Sequence, residues 1–275
     1  MAKTSLRIQQ LSTGYQQMVV KNVELDIPDG KLTALIGPNG CGKSTLLKCM
    51  ARILKPMGGH VLLNQQPIHS TPTKEVAKQL ALLPQGPVAP EGLIVRELVA
   101  QGRYPHQSLL KQWSKADEAA VQKAMQMTDT LALADRPVSA LSGGQRQRCW
   151  IAMVLAQDTP IILLDEPTTF LDMRVQVDLL NLLISLAHEH GRTLVVVLHE
   201  LNLAAAFADH LVLMKDGELQ AQGCPEDVFT SDNLKSVFNL DANIIRDPHS
   251  QRLMCVPTNM PAGAAVQNAP LAQAV

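Results

Sequence analysis

The chain has 275 residues, of which 46% are hydrophobic, so it can bury the core of one large domain or of one domain with a lobe. Its formal net charge of −1 argues against a nucleic-acid-binding protein, which usually carries a basic face. Five cysteines without paired spacing indicate a reducing cytoplasm. With neither a signal peptide nor an apolar run near the roughly 18 residues of a membrane span, we expect a soluble protein that can dock on a membrane protein.

Two patterns of apolar residues predict β-strands. Residues 5–27 alternate apolar and polar side chains, which is typical of half-buried strands. Four short runs are almost continuously apolar, as in strands buried on both faces of a parallel sheet. These runs are Leu32–Ile36, Leu80–Leu83, Ile161–Leu164 and Thr193–Leu198. The sequence therefore predicts an α/β fold with a mainly parallel sheet and an antiparallel β subdomain at its N-terminal end.

Helical patterns dominate between about residues 87 and 158, where no convincing strand occurs. Ser114 followed by Asp117 has the pattern of a capping box and predicts a helix that continues to about Thr128. Thr71-Pro72 likewise predicts a helix start with the proline in its first turn. We expect the block between 87 and 158 to be a helical lobe inserted into the α/β fold.

These patterns divide the chain into four parts. They are a first core segment at 1–86, the helical lobe at 87–158, a second core segment at 159–258 and a tail at 259–275. The second core segment ends in a predicted hairpin formed by Ile244–Arg246 and Leu253–Val256. The tail is rich in Ala, Pro, Gln and Gly, and we expect it to be disordered.

A glycine-rich stretch with the phosphate-loop pattern follows the first buried run. It comprises Gly37, Pro38, Asn39, Gly40, Cys41, Gly42, Lys43, Ser44 and Thr45. Glycines let backbone N–H groups approach phosphate oxygens, and the helix that starts here adds unpaired donors and a positive dipole. Lys43 would contact the β- and γ-phosphates, Ser44 would bind Mg²⁺, and Thr45 would face the α-phosphate. The alternative is a tight turn without a ligand, and Cys41 is better explained as an oxidation liability than as a catalytic group.

Two carboxylates, Asp165 and Glu166, follow the third buried run directly. Burying both without partners would be costly, whereas a metal ion and a polarised water would account for them. We expect Asp165 to bind Mg²⁺ and Glu166 to orient and deprotonate the attacking water. The alternative is an exposed turn after a core strand.

Polar residues also close the second and fourth buried runs. Gln85 follows Leu80–Leu83 and the next proline, and His199 follows Thr193–Leu198. Ligands of open parallel sheets bind at the carboxyl ends of the strands. If the four runs are parallel neighbours, Gln85 can reach Mg²⁺ or the attacking water, and His199 can bond the γ-phosphate. Taken alone, each residue has a simpler explanation as a solvated glutamine or a structural histidine.

A second glycine motif precedes an amphipathic helix that includes Trp150. It consists of Leu141 followed by Ser142, Gly143, Gly144 and Gln145. Ser142 is a suitable N-cap, so an ordinary capped helix is one explanation. A cap does not require two adjacent glycines, however, and these would expose backbone donors to a second phosphate.

In combination and order, these motifs resemble the ATP-binding cassette family, and the resemblance covers about residues 4–240. It implies a phosphate-loop NTPase core with an N-terminal antiparallel β subdomain and an inserted helical lobe. It further implies ATP hydrolysis with Mg²⁺, and Tyr15 as the residue on which adenine stacks. The near-neutral charge and the absence of zinc-binding or long coiled-coil insertions disfavour the soluble members that act on ribosomes or DNA.

The resemblance also implies a homodimer whose two copies face each other head to tail. ATP on the phosphate loop of one copy would be covered by Ser142, Gly143, Gly144 and Gln145 of the other, with Asp172 at the same interface. The dimer would act on two membrane permease subunits, which receive substrate from a periplasmic binding protein. The docking surface is expected near the segment after Gln85, at the cytoplasmic side of the inner membrane. No nucleic-acid partner is expected.

Two segments resemble the ferric-siderophore importers within this family. They are Gly102–Gln107 and Arg146-Gln147-Arg148 with the helix of Trp150. We therefore predict an ATPase that energises uptake of a ferric-siderophore complex, such as ferric enterobactin or ferric dicitrate. Importers of cobalamin or haem are the alternative. Glu200 stands where many members of the family have aspartate, which is a conservative difference.

Overall fold

The computed structural model describes residues 5–107 and 113–258, so the predicted tail lies outside the described residues. The strands are β1 (Leu6–Gly14), β2 (Met18–Ile27), β3 (Leu32–Ile36), β4 (Pro56–Leu63), β5 (Gln66–Pro67), β6 (Leu80–Leu83), β7 (Ile161–Asp165), β8 (Thr193–Val197), β9 (His210–Lys215), β10 (Glu218–Gly223), β11 (Ala242–Arg246) and β12 (Leu253–Pro257). The helices are α1 (Lys43–Met50), α2 (Thr73–Ala77), α3 (Val95–Ala100), α4 (Lys115–Met127), α5 (Gly143–Ala156), α6 (Met173–His188), α7 (Leu201–Phe207), α8 (Pro225–Val228) and α9 (Ser231–Phe238).

A central six-stranded sheet has the strand order β10-β9-β3-β8-β7-β6. The pairs β3–β8, β8–β7, β7–β6 and β3–β9 are parallel, and β10 is antiparallel to β9. The prediction that the four apolar runs are parallel neighbours is therefore confirmed. Their carboxyl ends meet at one edge of the sheet, where the segments after β3, β6, β7 and β8 begin.

Both faces of this sheet are covered by apolar side chains. In β7, Ile162 and Leu164 belong to one hydrophobic cluster, whereas Ile161 and Leu163 belong to the other. Alternate residues of a strand point to opposite faces, so a strand between two cores needs apolar residues at every position. This requirement explains why the sequence of each central strand lacks polar alternation.

A second sheet is antiparallel and has the order β2-β1-β4-β5. In β1, Leu6, Ile8 and Leu11 are buried, while the intervening side chains are exposed. The spacing lengthens after Ile8 because Gln10 has a positive φ of 47° and the pairing register shifts there, as in a β-bulge. The predicted N-terminal antiparallel subdomain is thus confirmed.

The segment between β6 and β7 contains the helices α3, α4 and α5, which pack on one another. Ser114 caps α4, and its capping box with Asp117 is formed as predicted. Asp117 also pairs with Arg103, with 2.9 Å between Arg103 Nε and the carboxylate, and both residues are more than nine-tenths buried. A charged pair thus lies inside the lobe, at a position that the apolar pattern does not indicate.

The predicted start of α2 is wrong in one respect. Pro72 has ψ of 137° and occupies the N-cap position, so the first turn begins only at Thr73. An extended proline can end the preceding loop without donating a hydrogen bond, which makes it compatible with the N-cap as well as with the first turn.

Two polar contacts fix the ends of helices to neighbouring elements. The amide of Gln157, directly after α5, donates to the carbonyl oxygens of Ala77 at 2.6 Å and Leu80 at 3.1 Å, beside the start of β6. Near the C-terminal end, β11 and β12 form the predicted hairpin. Asn202 on α7 holds this hairpin by exchanging hydrogen bonds with the backbone of Cys255.

Candidate functional site

The glycine-rich loop joins β3 to α1 and encloses the side chain of Lys43. Lys43 Nζ donates to the carbonyl oxygens of Gly37 at 2.7 Å and Pro38 at 3.0 Å, and the residue is 5% exposed. Gly42 is the N-cap of α1 with φ of 105°, and no side chain caps this helix. The first N–H groups of α1 are therefore left for another acceptor, and a lysine ammonium lies beside them. This arrangement can bind an anion.

Cys41 is buried within the same loop, and its Sγ lies 3.8 Å from Lys43 Nζ. Burial raises the pKa of the Cys41 thiol, although the ammonium of Lys43 opposes the change. The group is therefore a neutral thiol at neutral pH. This agrees with the interpretation that it is not a nucleophile.

A hydroxyl and a carboxylate meet where β3 and β7 end. Ser44 Oγ donates to Asp165 Oδ1 at 2.8 Å, across 121 positions of sequence. Burial raises the pKa of Asp165 and the Glu166 carboxylate adds to this effect, whereas the hydrogen bond from Ser44 opposes it. A buried carboxylate of this kind favours a cation close by, and its oxygen and the Ser44 hydroxyl are the ligand types that Mg²⁺ prefers.

Protein ligands for a metal are few at this point. Within the described ranges, no group of three or more His, Cys, Asp and Glu side chains is arranged to hold a metal ion. Mg²⁺ in phosphate-loop enzymes keeps several waters and binds substrate phosphates, so one hydroxyl and one carboxylate fit its needs.

Glu166 is held from both sides by the residues that follow the neighbouring strands. His199 Nε2 lies 2.6 Å from Glu166 Oε1, and Gln85 Nε2 donates to Glu166 Oε2 at 2.5 Å. Thr169 Oγ1 also donates to Oε2, at 3.2 Å. Glu166 has φ of 52°, a left-handed conformation that costs a residue other than glycine of order 1 to 3 kcal/mol. The structure thus brings Gln85, Glu166 and His199 together, as their places at the strand ends predict.

The second glycine motif lies next to the start of α6. Ser142 caps α5 through a capping box with Gln145. A Cβ at Gly144 would lie 2.8 Å from Val175 Cγ1, so this glycine allows α5 to pack against α6. Asp172 caps α6 by accepting from Val175 N at 3.0 Å. The motif and Asp172 are therefore neighbours in one chain.

Some predicted residues are not joined to the phosphate loop. Ser142, Gly143 and Asp172 are exposed, and Tyr15, just after β1, is 59% exposed. In the described part of the chain, no hydrogen bond or ion pair connects these residues to 37–45. The second glycine motif, Asp172 and Tyr15 are therefore not tied by such bonds to the phosphate loop of their own subunit.

Residues 20–169 match the ABC transporter family. The chain belongs to this family.

The curated relatives and solved structures of ABC proteins agree with this assignment. The chain is 53% identical over 258 residues to YusV of Bacillus subtilis, named as a siderophore transport system ATP-binding protein, with 94% of both chains covered. It is 51% identical to the ferric enterobactin transport ATP-binding protein FepC of Escherichia coli, over 92% of this chain and 93% of that protein. It superposes with a TM-score of 0.81 on a metal-chelate type ABC transporter in an inward-facing conformation, at 30% identity over 93% of this chain and 97% of that one. The predicted fold class is confirmed.

Further polar residues of this ABC subunit support the loop between β7 and α6. Gln176 Nε2 donates to the carbonyl oxygens of Thr168 and Leu171 at 3.3 and 3.2 Å, and it lies 3.4 Å from a carboxylate oxygen of Glu200. Glu200, next to His199, also accepts from Thr168 Oγ1 at 3.4 Å. Sequence reasoning missed Thr169 and Gln176, because neither belongs to a spaced motif. Across the described ranges, none of the helices is both long and apolar enough to cross a membrane.

Proposed function

We propose that this chain is the ATP-hydrolysing subunit of an importer for ferric-siderophore complexes. The observation that carries the ATPase role is the position of Glu166, which lies between Gln85 and His199 and follows the carboxylate paired with Ser44 of the phosphate loop. A phosphate site, a metal-binding pair and a candidate base thus occupy one edge of the sheet.

The phosphate loop would bind the nucleotide within its own subunit. The backbone N–H groups of residues 37–45 and the start of α1 would receive the phosphates. Lys43 Nζ donates to two carbonyl oxygens of the loop in this structure. With nucleotide bound it would turn toward the β- and γ-phosphates, because charged phosphate oxygens are stronger acceptors than neutral carbonyl oxygens. Tyr15 is exposed before β2, and its ring would stack on adenine.

Ser44 and Asp165 would hold Mg²⁺, with Gln85 as a further oxygen ligand. The bound ion would neutralise developing charge on the phosphates. Ser44 and Asp165 share a hydrogen bond of 2.8 Å, so their oxygen atoms already lie within reach of one small cation. The raised pKa of Asp165 reflects a carboxylate whose charge lacks sufficient compensation from the protein alone.

Glu166 would orient and deprotonate the attacking water, and His199 would hydrogen-bond the γ-phosphate. Both carboxylate oxygens of Glu166 are engaged by neighbouring side chains in this structure. A base accepts a proton through a lone pair, and a carboxylate has about four, so these three neighbours leave little room for a water. On this proposal Gln85 turns toward the metal and His199 toward the phosphate during turnover, which opens the carboxylate to the water. The present arrangement corresponds to a resting state of the site.

The complete site would need a second copy of the chain. Ser142, Gly143, Gly144 and Gln145 offer a capped helix start with an exposed Gly143, yet among the described residues no hydrogen bond or ion pair joins them to the phosphate loop of their own subunit. In a head-to-tail homodimer, this segment would cover the ATP of the partner. Asp172, which lies beside it, would couple the two sites.

The homodimer would act on two permease subunits at the cytoplasmic side of the inner membrane. The segment that follows Gln85 would be part of the docking surface, and a periplasmic binding protein would deliver the substrate. The ferric-siderophore assignment is supported by the names of YusV and FepC and by the identity of more than half of the aligned residues.

Complementation of a deletion strain tests this proposal. The wild-type gene should restore growth when one ferric siderophore is the iron source, and it should not be needed when haem is supplied through another route. Glu166→Gln should bind ATP, lose turnover by at least about a hundredfold, fail to restore growth and accumulate as an ATP-bound dimer. Near-normal hydrolysis by this variant would remove Glu166 from the catalytic role. A deletion strain in which the wild-type gene restores growth with haem as the iron source, but not with any ferric siderophore, would contradict the siderophore assignment.

A further inference from the structure

Phe170, in the loop between β7 and α6, occupies a costly position. Its side chain is 100% exposed, and its backbone has φ of 62°. It is the third residue of a tight turn that Leu171 N closes by donating to the carbonyl oxygen of Thr168 at 3.3 Å. A positive φ at this position of a turn usually requires glycine or asparagine. A phenylalanine in such a conformation persists only where the surrounding contacts enforce it.

Gln176, near the start of α6, makes those contacts. Its Nε2 donates to the carbonyl oxygens of Thr168 at 3.3 Å and Leu171 at 3.2 Å, one on each side of Phe170 in the chain. The same nitrogen lies 3.4 Å from Glu200 Oε1. A glutamine amide has only two N–H groups, so at least one of them is shared among these three acceptors. The amide thus fastens the turn to α6 and to the segment that follows β8.

Glu200 extends this set of contacts toward the residue proposed to bond the γ-phosphate. Its other oxygen, Oε2, accepts from Thr168 Oγ1 at 3.4 Å. Glu200 directly follows His199, whose Nε2 lies 2.6 Å from Glu166 Oε1. Contiguous polar contacts therefore lead from the neighbour of His199 to both sides of Phe170. Such a chain of contacts can carry energetic coupling, which a double-mutant cycle can measure.

We infer that Gln176 is a positioning residue that, together with Glu200, holds residues 167–172 in place against a second copy of this chain. The inference rests on the proposed function, in which Asp172 of this loop couples the two nucleotide sites. The partner copy covers the ring of Phe170, which a single subunit leaves in water, because aromatic residues are enriched in the cores of interfaces. Through Glu200, a change at His199 in one subunit reaches the loop that faces the other.

The first test separates positioning from nucleotide binding. Gln176→Leu keeps the approximate size of the side chain and removes its N–H donors, so the loop leaves its place for part of the time. The kcat for ATP should fall about five- to fiftyfold. ADP affinity, measured by calorimetry, should stay within about twofold, because ADP would be bound by the phosphate loop of its own subunit. Asn181→Leu is the matched control, since Asn181 is an exposed amide on the same helix, and it should leave kcat unchanged.

Two results of this test would overturn the inference. One is a kcat of Gln176→Leu within about twofold of the control. The other is a parallel loss of ADP affinity, because the substitution would then disrupt the subunit as a whole.

A double-mutant cycle tests the link to Glu200. Glu200→Leu removes the contacts of the carboxylate with Gln176 and Thr168. Because both substitutions break the same set of contacts, the combined variant should lose less kcat than the product of the two single losses. A combined loss equal to that product would show that the two residues act independently and would exclude the link.

A final measurement follows the loop itself without turnover. Hydrogen exchange in the absence of nucleotide reports how often the bond from Leu171 N to the Thr168 carbonyl opens. In Gln176→Leu the Leu171 amide should exchange at least about fivefold faster, and in Asn181→Leu it should not change. Equal exchange in the two variants would contradict the inference. If these tests fail while Glu166→Gln is inactive, only the role of Gln176 is lost, whereas a Glu166→Gln enzyme with normal turnover would refute the proposed function itself.

Discussion

Replacing Asp117 by asparagine should destabilise the helical lobe far more than a loss of one surface charge. Asp117 is 3% exposed and accepts from Arg103 Nε at 2.9 Å and from Ser114 N at 3.0 Å. Arg103 is 7% exposed and also donates to the carbonyl oxygen of Ala156 at 2.7 Å. Asparagine keeps the size, but its NH₂ group cannot accept the hydrogen bonds that one of the two carboxylate oxygens takes from Arg103 or Ser114. The substitution therefore removes the negative charge and one acceptor, and it leaves the guanidinium buried without its partner charge.

The magnitude follows from this burial. Removing one partner of a buried, hydrogen-bonded ion pair costs about 3 to 5 kcal/mol of unfolding free energy. Burial alone would raise the pKa of Asp117, but the hydrogen bonds from Ser114 and the Arg103 guanidinium outweigh it and hold the pKa below its ordinary value. A lowered folded-state pKa contributes stability that is present above the ordinary value and lost as pH falls through the folded value. The cost of Asp117→Asn should therefore be constant from about pH 5 to about pH 8 and shrink below about pH 4.

Urea unfolding followed by circular dichroism measures this difference. The matched control is Asp26→Asn, because Asp26 pairs with Arg7 on the surface and both side chains are more than half exposed. The control should lose less than about 1 kcal/mol. An Asp117→Asn protein that loses no more than the control would refute the reasoning. So would a loss that grows as the pH falls from 5 to 3.

Two further predictions concern the nucleotide site. Lys43→Ala should weaken ATP binding by at least about tenfold, because the charge-assisted contacts to the phosphates are lost, and unchanged affinity by calorimetry would contradict the phosphate-loop interpretation. Subunits with Ser142→Arg mixed with subunits with Lys43→Ala should recover part of the ATPase activity that neither homodimer has, because both lesions fall on one composite site and leave the other intact. Confirmed heterodimers without recovery would argue against sites shared between subunits.

The sequence was sufficient to predict that Gln85, Glu166 and His199 meet at one edge of the sheet, because strands buried on both faces can be recognised from their own residues. A strand covered on both faces must be apolar at every position, so Ile161–Leu164 and its counterparts are visible without tertiary information. Parallel pairing then places the residues that follow such strands side by side. Gln85, Glu166 and His199 were brought together by this rule and not by any shared spacing.

The polar contacts between elements could not be predicted in the same way. Arg103 looks like a solvated charge in the printed sequence, and the capping-box pattern of Asp117 does not indicate that this residue also pairs with Arg103. Gln176 and Glu200 meet only because α6 and the segment after β8 are neighbours in space. Pairing of this kind depends on where side chains point after packing, and hydrophobic periodicity carries no record of it.

The hydrogen bonds of Gln157 fix the C-terminal end of α5 to the backbone beside β6, so the helix can rotate about that end. Its N-terminal end borders a cavity whose wall includes Gln85 and Glu166. The 14 residues of α5 form a rigid rod of about 21 Å. A rotation of about 10° around the C-terminal end would therefore carry Gly143 through about 4 Å, enough to open or close that cavity. If a permease subunit tilts the lobe as proposed, a small rotation about Gln157 would thus become a displacement of atomic size beside Glu166, the proposed base.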